Sequence, residues 1–578
     1  MSVDPVTVAI LNGRLEQIAD EMDATLFRSA FNPIIAEAHD ASHGIYDGIT
    51  GETLVQGKSG LPIFVGVMAF AVRAVIEKAS LSGGPKDGDV WIFNDPYVGG
   101  THLSDFRLVK PLFRDGKVFC YLASVGHWHD VGGNVPGNYN PEATESFQEG
   151  MLIPPVKLYD QGTYQQDIVD ILSANSRLPF SLYGDLNGQI NALDLGTERM
   201  TALLDEHSDE VVAQTFVILR NRAATLMRAE IAKLPSGTVS AEDFLDNDGV
   251  DDKPLKIALD LTITGDQMVL DFTRSAPACQ GPVNISRATT VAACYVALKH
   301  IFVDVPANGG VLEPVEFRID PNSILSVKAP KPVSGYTETI LRLIDVAFQA
   351  IAQIAPTGAM ACSYGTINAL SIAGHRPSGQ RWVMFSFFGG GHGACGGGDG
   401  LSHGNAPIST ATIPPLEVLE AAYPVRFTKW ALRPDSGGAG CWRGGLGGVY
   451  EIELLDKSAE VFLFGERGRF APKGIVGGGS GALNRFSYQK GTTMQIPPMA
   501  SKMVGINIEH GERLRLESPG GGGYGNAYER APEAVMLDIR RGFVTTKSAK
   551  EIYGVALRKD GSIDEAVTAK LRSVSPKS

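Results

Sequence analysis

The sequence predicts a multi-domain α+β protein: a helix-rich N-terminal part with mixed sheets and a candidate metal site, then a β-rich, glycine-rich C-terminal part. Three observations predict it. Apolar residues recur every three or four positions over residues 5–28 and 167–234. Short apolar runs bounded by Asn, Asp, Gly and Pro lie between and beyond those stretches. The 67 glycines among 578 residues exceed the usual ~7% share and cluster late in the chain. On this pattern residues 1–235 form a metal-bearing α+β domain. Residues 236–350 form a mixed α/β region, and 351–578 a glycine-rich β-dominated region with a short C-terminal tail.

Each element has its own signal. Asp4-Pro5 reads as an N-cap followed by proline at the first helical position. Leu11, Leu15, Ile18, Met22 and Leu26 then make one apolar helix face. HDASHGIYDGITGETLVQG has hairpin form, with turn chemistry at Asp47-Gly48 and Thr50-Gly51. A helix is expected over residues 65–78. A buried strand is expected over 89–93, ending at Asn94-Asp95-Pro96. Another is expected over 117–125. Its Phe119, Tyr121, Ala123 and Val125 share a face, and counting by two puts His127 on that side.

Three helical patterns fill residues 167–234, and Pro235-Ser236-Gly237 closes them. LKIALDLTITGDQMVLDF then reads strand-turn-strand about Gly265-Asp266. From Trp382 onward β patches alternate with glycine clusters, read as tight turns and close backbone approaches. Their irregular spacing excludes a solenoid repeat. The last twenty or so residues are polar and expected to fray.

Composition narrows the function. The chain is 44% hydrophobic and 20% charged, which excludes a largely disordered protein. A net charge of −13 argues against nucleic acid or an anionic membrane as partner. Six dispersed cysteines without a CxxC pair suggest neither a thiolate zinc site nor a disulfide framework. No signal peptide or membrane span is read, and a cytoplasmic location is expected.

The chemistry concentrates in the first 130 residues, which hold five of the 11 histidines: His39, His43, His102, His127 and His129. His102 and Asp105 are three apart, so a helical or turn-like backbone puts both on one side. The glycines before His102 let the backbone bend. His127 ends a strand. With Asp40 these make two imidazoles and two carboxylates, a thiolate-free set suited to Zn²⁺, Mn²⁺ or Fe²⁺. Polar groups capping turns would give the same pattern, and spacing leaves both readings open.

Other motifs fail on context. Gly391 to Gly396 matches GxGxxG, but more glycine follows it rather than a helix. GETLVQGKS carries one residue too many for a phosphate loop. Asp246-Asn247-Asp248-Gly249 has its glycine too early for a calcium loop. No GxSxG or HExxH occurs. Cys395 has no cationic neighbour in sequence except His392, and reads as a structural thiol.

NDPYVGGTHLSD followed by GHWHDVGG resembles the hydantoinase B / oxoprolinase family. SANSRLPFSLYGDLNGQINAL, GPVNISRATTVAACYVALK, PPLEVLEAAYPVRFTKWALRPDSGGAGCWRGGLGG and ESPGGGGYGNAYER are similar to its other blocks. The likeness runs, in order, from about residue 5 to 554. It implies one divalent metal, zinc first and manganese or iron as alternatives, held by Asp40, His102, Asp105 and His127. It also places Asp130 beside the last ligand, and Asp130 or His129 would then accept the proton. Phe64-Val65 and Trp128-His129 depart from the usual pattern, which bears on substrate rather than metal.

The resemblance further implies a partner: an ATP-binding hydantoinase A type subunit with an actin/hexokinase-like fold, carrying ATP and Mg, in an (αβ)2 assembly. The function so implied is ATP-dependent hydrolysis of a cyclic amide, hydantoin or lactam. The partner phosphorylates the ring carbonyl, and metal-activated water attacks here. Two alternatives stand beside it: a subunit of a ketone carboxylase of the acetone or acetophenone type, and a mainly structural partner of the ATPase subunit. For the glycine clusters a phosphate-binding nest is the functional alternative to close packing.

Overall fold

The computed structural model describes residues 3–573. The chain separates into two compact units. One comprises Met1–Thr238, Asp260–Ile340 and Ile408–Pro414. The other comprises Val239–Leu259, Leu341–Pro407 and Pro415–Ser578. The architecture is mixed α+β, with mostly antiparallel sheets.

The first unit opens with α1 (Pro5–Ser29), α2 (Pro33–Ala36), β1 (Ala41–Asp47), β2 (Thr53–Gln56) and α3 (Pro62–Ser80). There follow β3 (Val90–Phe93), β4 (Asp105–Arg114), β5 (Lys117–His127), β6 (Val156–Asp160) and β7 (Thr163–Tyr164). Three helices come next: α4 (Gln166–Ala174), α5 (Pro179–Glu206) and α6 (Asp209–Ile231). The Asp4 carboxylate caps α1 by accepting from the Val6 and Thr7 N–H groups. Leu11, Leu15, Ile18, Met22 and Leu26 are all buried on one face of α1. Each such side chain contributes about 1.5–3 kcal/mol.

That face packs on α5. A Cβ added at Gly196 would lie 2.5 Å from Met22 Sδ, and one at Gly188 would lie 2.8 Å from Leu26 Cδ1. The two helices therefore meet at glycine contacts. Leu108, Leu112 and Leu122 of the sheet complete this core with Leu186 and Leu193 of α5.

The sheet has the order β2-β1-β5-β4-β3-β6-β7, and its pairs are antiparallel. Alternation sets its two sides. Ser124 and Leu122 of β5, with His43 and Ile45 of β1, face the α1–α5 layer. His127 and Val125 point to the other side.

Further along come β8 (Gly237–Leu245), β9 (Leu255–Thr264), β10 (Gln267–Asp271), α7 (Arg287–Ile301), β11 (Val315–Arg318) and α8 (Tyr336–Ala352). The strand-turn-strand stretch is the antiparallel pair β9 and β10, and β11 runs parallel to β10. The boundary between units falls within β9 and within α8.

The second unit contains β12 (Ala369–His375), β13 (Arg381–Ser386), α9 (Leu416–Ala422), β14 (Val425–Leu432), β15 (Gly448–Leu454) and β16 (Ser458–Phe464). After these come β17 (Arg485–Lys490), β18 (Thr493–Gln495), β19 (Lys502–Glu509) and β20 (Arg513–Glu517). Sheets of order β13-β12-β16-β19 and β14-β15-β20-β17-β18 share one core, including Ile372, Val461, Ile452 and Leu514.

The glycine clusters lie between these strands as irregular segments laid backbone against backbone. The Gly391 N–H donates to the Pro519 carbonyl at 3.0 Å, Gly445 to His392 at 2.8 Å, and Gly521 to Gly445 at 3.0 Å. A Cβ at Gly521 would fall on the His392 carbonyl, and one at Gly391 on the Gly445 carbonyl. Close approach, rather than turn geometry, is what these positions require. Their N–H groups are spent on one another, which is packing and not an anion nest.

The C-terminal stretch departs from the expected fraying. After α10 (Pro532–Arg540) and α11 (Thr546–Glu551), α12 (Glu565–Ser573) forms with Thr568 buried. Arg572 ties it down, donating to the Arg530 carbonyl at 2.8 Å and the Tyr553 carbonyl at 3.1 Å. Polar composition misled here because those bonds, not apolar burial, anchor the helix. Residues 574–578 of that stretch lie outside the described residues.

Candidate metal centre

Strand register builds the site. His127 at the end of β5 is the direct partner of Asp105 at the start of β4. On its other side the His127 N–H donates to the Asp40 carbonyl at 3.0 Å, extending the β1–β5 pairing in which Ala41 faces Gly126. Asp40, His127 and Asp105 thus form one row across three strands, on one face of the sheet. His102 joins through the turn before β4, closed by the Asp105 N–H on the His102 carbonyl at 3.3 Å. Just before it, Gly99 closes the helical turn Pro96–Val98 and lets the chain pass close against α3. Its φ is 123°, and a Cβ there would lie 2.6 Å from the Ala71 nitrogen.

The donor atoms converge. His102 Nε2 is 3.1 Å and His127 Nδ1 3.4 Å from Asp105 Oδ1. Asp40 Oδ2 is 3.9 Å from His127 Nδ1. His102, Asp105 and His127 are buried, and their ligand atoms lie within 4.8 Å of one another. His102 Nε2 and Asp105 Oδ1 are buried with no hydrogen-bond partner. Leaving such atoms unsatisfied costs about 1–3 kcal/mol each. Two imidazole nitrogens and the Asp105 oxygen around one point are a donor set that a divalent ion fits, and Asp40 lies beside His127 but outside that mutually close group.

The carboxylates feel this geometry. Burial alone would raise the Asp105 pKa, but the charge of His102 and the close approach of both imidazoles outweigh it. They hold Asp105 well below the ordinary carboxylate range. Asp40 goes the other way. Burial pushes it up to about 7, with His127 pulling down and Asp105 pushing further up.

Neighbours fix the Asp105 carboxylate. The Thr101 hydroxyl donates to its Oδ2. Arg107, fully buried, donates from Nη1 to the Asp105 carbonyl and from Nη2 to Thr101 Oγ1, each at 2.7 Å. Oδ2 is therefore occupied and Oδ1 is left facing the imidazoles. Asn94 holds the turn by donating to the Leu103 carbonyl at 2.7 Å. Behind β5, the Asn32 amide donates to the His127 carbonyl at 3.2 Å, and Asp185 accepts from that amide at 2.6 Å.

The other histidines of the region go elsewhere. His43 lies on the opposite face of the sheet, with Nδ1 2.8 Å from Asp23 Oδ1 and Nε2 2.9 Å from Ser124 Oγ. All three are buried in the core, so this Asp-His-Ser arrangement has no substrate access. His39 stacks on Phe27 at 4.3 Å. Asp130 accepts from the Arg177 Nη1 and N–H at 2.9 Å each, and from the Gly132 and Gly137 N–H groups. His129 is buried beside it in the sequence.

Two flanking residues were invisible in the sequence. The Tyr336 ring lies 4.8 Å and the Tyr139 ring 5.6 Å from that of His102. Burial, then the negative charge of nearby carboxylates, keeps both phenols protonated. Tyr336 lies 231 positions beyond Asp105, and only the fold brings it close. Glu149 accepts from the Val333 and Ser334 N–H groups at 2.7–2.9 Å, which fixes the segment leading to Tyr336.

A buried, thiolate-free His/Asp cluster at the end of an antiparallel sheet, within a large two-unit α+β chain, defines the class of protein. The chain belongs to the hydantoinase B/oxoprolinase family, whose model matches residues 4–527. It is 32% identical to the caprolactamase subunit beta of Pseudomonas jessenii over 600 residues, covering 98% of each chain. The crystal structure of the ATP-dependent caprolactamase from that organism matches with a TM-score of 0.88 at 30% identity, over 99% of this chain and 100% of that one. An acetone carboxylase structure matches in fold, with a TM-score of 0.89 at 21% identity, over 99% of this chain and 82% of that one. Among the described residues no helix is long and apolar enough to cross a membrane.

Proposed function

We propose that this chain is the metal-bearing subunit of an ATP-dependent cyclic-amide hydrolase. The observation that carries the reading is the convergence of His102 Nε2, Asp105 Oδ1 and His127 Nδ1, with Asp40 Oδ2 beside them, two of the atoms being buried without partners. His102, Asp105, His127 and Asp40 would hold one divalent ion, zinc before manganese or iron. Such an ion supplies Lewis acidity and lowers the pKa of water toward ~7.

The chain's own residues set the rest. Thr101 and Arg107 orient Asp105. Tyr139 and Tyr336, held protonated, flank the cluster as hydroxyl donors. Of the two residues assigned to proton transfer, Asp130 already accepts from Arg177, Gly132 and Gly137, so it holds the loop. The proton then passes to the His129 imidazole.

Opening an unstrained amide ring is poorly driven, and its carbonyl is a weak electrophile. Transfer of the ATP γ-phosphoryl group to the carbonyl oxygen, on an actin/hexokinase-like hydantoinase A type partner, makes that carbon reactive. Water adds to the carbon, the carbon–nitrogen bond breaks as the ring nitrogen takes a proton, and the acyl phosphate so formed is hydrolysed by a second water to phosphate and the ring-opened acid. The similarity to a caprolactamase subunit beta supports a lactam as substrate and a partner subunit, with a hydantoin as the alternative ring and (αβ)2 as the proposed working form.

The test is to co-express the chain with its ATPase partner and supply ATP. Substrate-dependent release of a ring-opened acid from a lactam or hydantoin is expected. Bicarbonate-dependent formation of a β-keto acid from acetone or acetophenone, with no hydrolysis, would replace this reading with ketone carboxylation.

A further inference from the structure

Two segments of the metal centre, the loop that ends at Asp40 and the end of β5 at His127, are joined by the side chain of Asn32. Its Oδ1 caps α2, accepting from the Ile34 N–H at 2.7 Å and the Ile35 N–H at 3.2 Å. Its Nδ2 donates to the His127 carbonyl at 3.2 Å and to Asp185 Oδ2 at 2.6 Å. Both amide hydrogens and the oxygen are thereby used, so the amide has one orientation here.

The α2 turn carries that constraint to Asp40. The Ile34 carbonyl accepts from the Asp40 N–H at 2.9 Å, and the Ile35 carbonyl from the His39 N–H at 3.1 Å. His127 is thus one hydrogen bond from Asn32, and Asp40 is two. Asp40 Oδ2 stands 3.9 Å from His127 Nδ1, outside the close group of the other three ligands. Its place is the one that such a frame controls.

Asp185 of α5 fixes Asn32 in turn. Both residues are fully buried. The Asp185 Oδ1 accepts from the Phe31 N–H at 2.9 Å and the Asn32 N–H at 3.2 Å. The Phe31 ring packs on the neighbouring Gly184, where a Cβ would lie 2.1 Å from it. Burial pushes the Asp185 pKa up to about 6; its Asn32 and Phe31 donors, and then the charge of His127, pull it down. Positive charge at His127 is therefore felt at Asp185, behind the sheet.

We propose that Asn32 and Asp185 are positioning residues of the metal centre: Asp185 orients the Asn32 amide, and Asn32 sets the spacing of Asp40 and His127 so that both reach one ion. Neither residue is a ligand. The inference rests on the metal-centre reading and adds to it the residues that hold the ligands in place.

Cobalt(II) binding to the metal-stripped full-length chain tests it, with affinity read by competition with a chromophoric chelator and coordination by the visible absorption of the bound cobalt. Asp185→Asn keeps an oxygen for the Phe31 and Asn32 N–H groups but removes the charge. It binds cobalt at least ~10-fold more weakly, with a changed absorption band, while circular dichroism shows a folded chain. The double variant Asn32→Asp with Asp185→Asn exchanges the two groups. A carboxylate oxygen still caps α2 and the amide at position 185 donates to it, but the His127 carbonyl loses its donor. Its thermal midpoint recovers relative to Asn32→Asp alone, which sets two carboxylates face to face, while its cobalt affinity and band stay displaced from wild type. Joint recovery of midpoint and cobalt binding overturns the proposal, because a role in folding alone gives that result. So does wild-type affinity and band in folded Asp185→Asn. Either variant decides if the other does not fold. A wild-type chain that takes up no cobalt overturns the metal-centre reading itself, and the proposal with it.

Discussion

Asp105 and His127 stand opposite one another in register across β4 and β5, with Asp105 Oδ1 3.4 Å from His127 Nδ1. A one-residue slip of either strand would send one of them to the other face of the sheet. The site is thus fixed by the same pairing that builds the core.

The first prediction concerns the metal. Purified protein should carry about one equivalent of divalent ion per chain, as for a closed set of nitrogen and oxygen donors. His102→Ala and Asp105→Ala should each drop it at least ~10-fold. Mass-spectrometric metal analysis, with circular dichroism to check folding, reads this directly. A folded Asp105→Ala protein with undiminished metal content would sink the assignment.

Thr101→Val keeps the side chain's shape and removes the hydroxyl that occupies Asp105 Oδ2. Loss of such an orienting partner lowers metal affinity roughly 10–100-fold. Competition with a chromophoric chelator measures it. Equal affinity in wild type and variant would mean that Asp105 is oriented by Arg107 alone.

Glu149 gives a pH dependence. Burial pushes its pKa from 4.5 up to about 7, against the pull of the Val333 and Ser334 N–H groups. Between those values the folded state holds a proton that the unfolded state has lost. Stability therefore falls as pH rises through that window and is level above and below it. Relative to Glu149→Gln, which cannot titrate, wild type should lose about 3 kcal/mol between pH ~4.5 and ~7.5. Denaturant midpoints at the two ends suffice, and a constant difference would count against the raised carboxyl.

Gly521→Ala should be among the more damaging substitutions in the second unit. Its Cβ would fall on the His392 carbonyl, where backbone rather than side chain must yield. A cost of about 3 kcal/mol or more is expected. Gly511→Ala, with open space around its Cβ but a φ of 81°, should cost only about 1 kcal/mol from backbone strain. Thermal midpoints of the pair compare them, and an undisturbed Gly521→Ala would contradict the backbone packing.

Asp130→Asn separates anchoring from chemistry. Removing the charge leaves the Arg177 guanidinium, still donating to the Gly132 and Gly133 carbonyls, without its carboxylate partner. Breaking such a pair costs up to about 3 kcal/mol, less where Arg177 is partly wetted. A midpoint equal to wild type would mean that the Asp130–Arg177 pair does not anchor the loop.

Much of this was legible in the residues. The α1 face needs only helical periodicity, and Leu11 to Leu26 are buried as it predicts. His127 on the Val125 side follows from counting by two. The motif around His102 carried its own turn signal in Gly99 and Gly100. What escaped were contacts made across sequence distance. Tyr336 beside His102, the Thr101–Arg107 clamp on Asp105, and the pairing of α12 by Arg572 leave no periodic trace. Glycine count announced close approach in the second unit without saying which backbones approach.

Taken alone, the sequence determines the local elements, because periodicity and turn chemistry act within about a dozen residues. It also offers candidate donors through their residue types, without deciding between a metal site and polar turn caps. Only the tertiary structure decides that Asp40, His127 and Asp105 share one row, and that His43 is on the reverse face. Cross-strand register is set by the packing of whole layers, and no short window of sequence contains it.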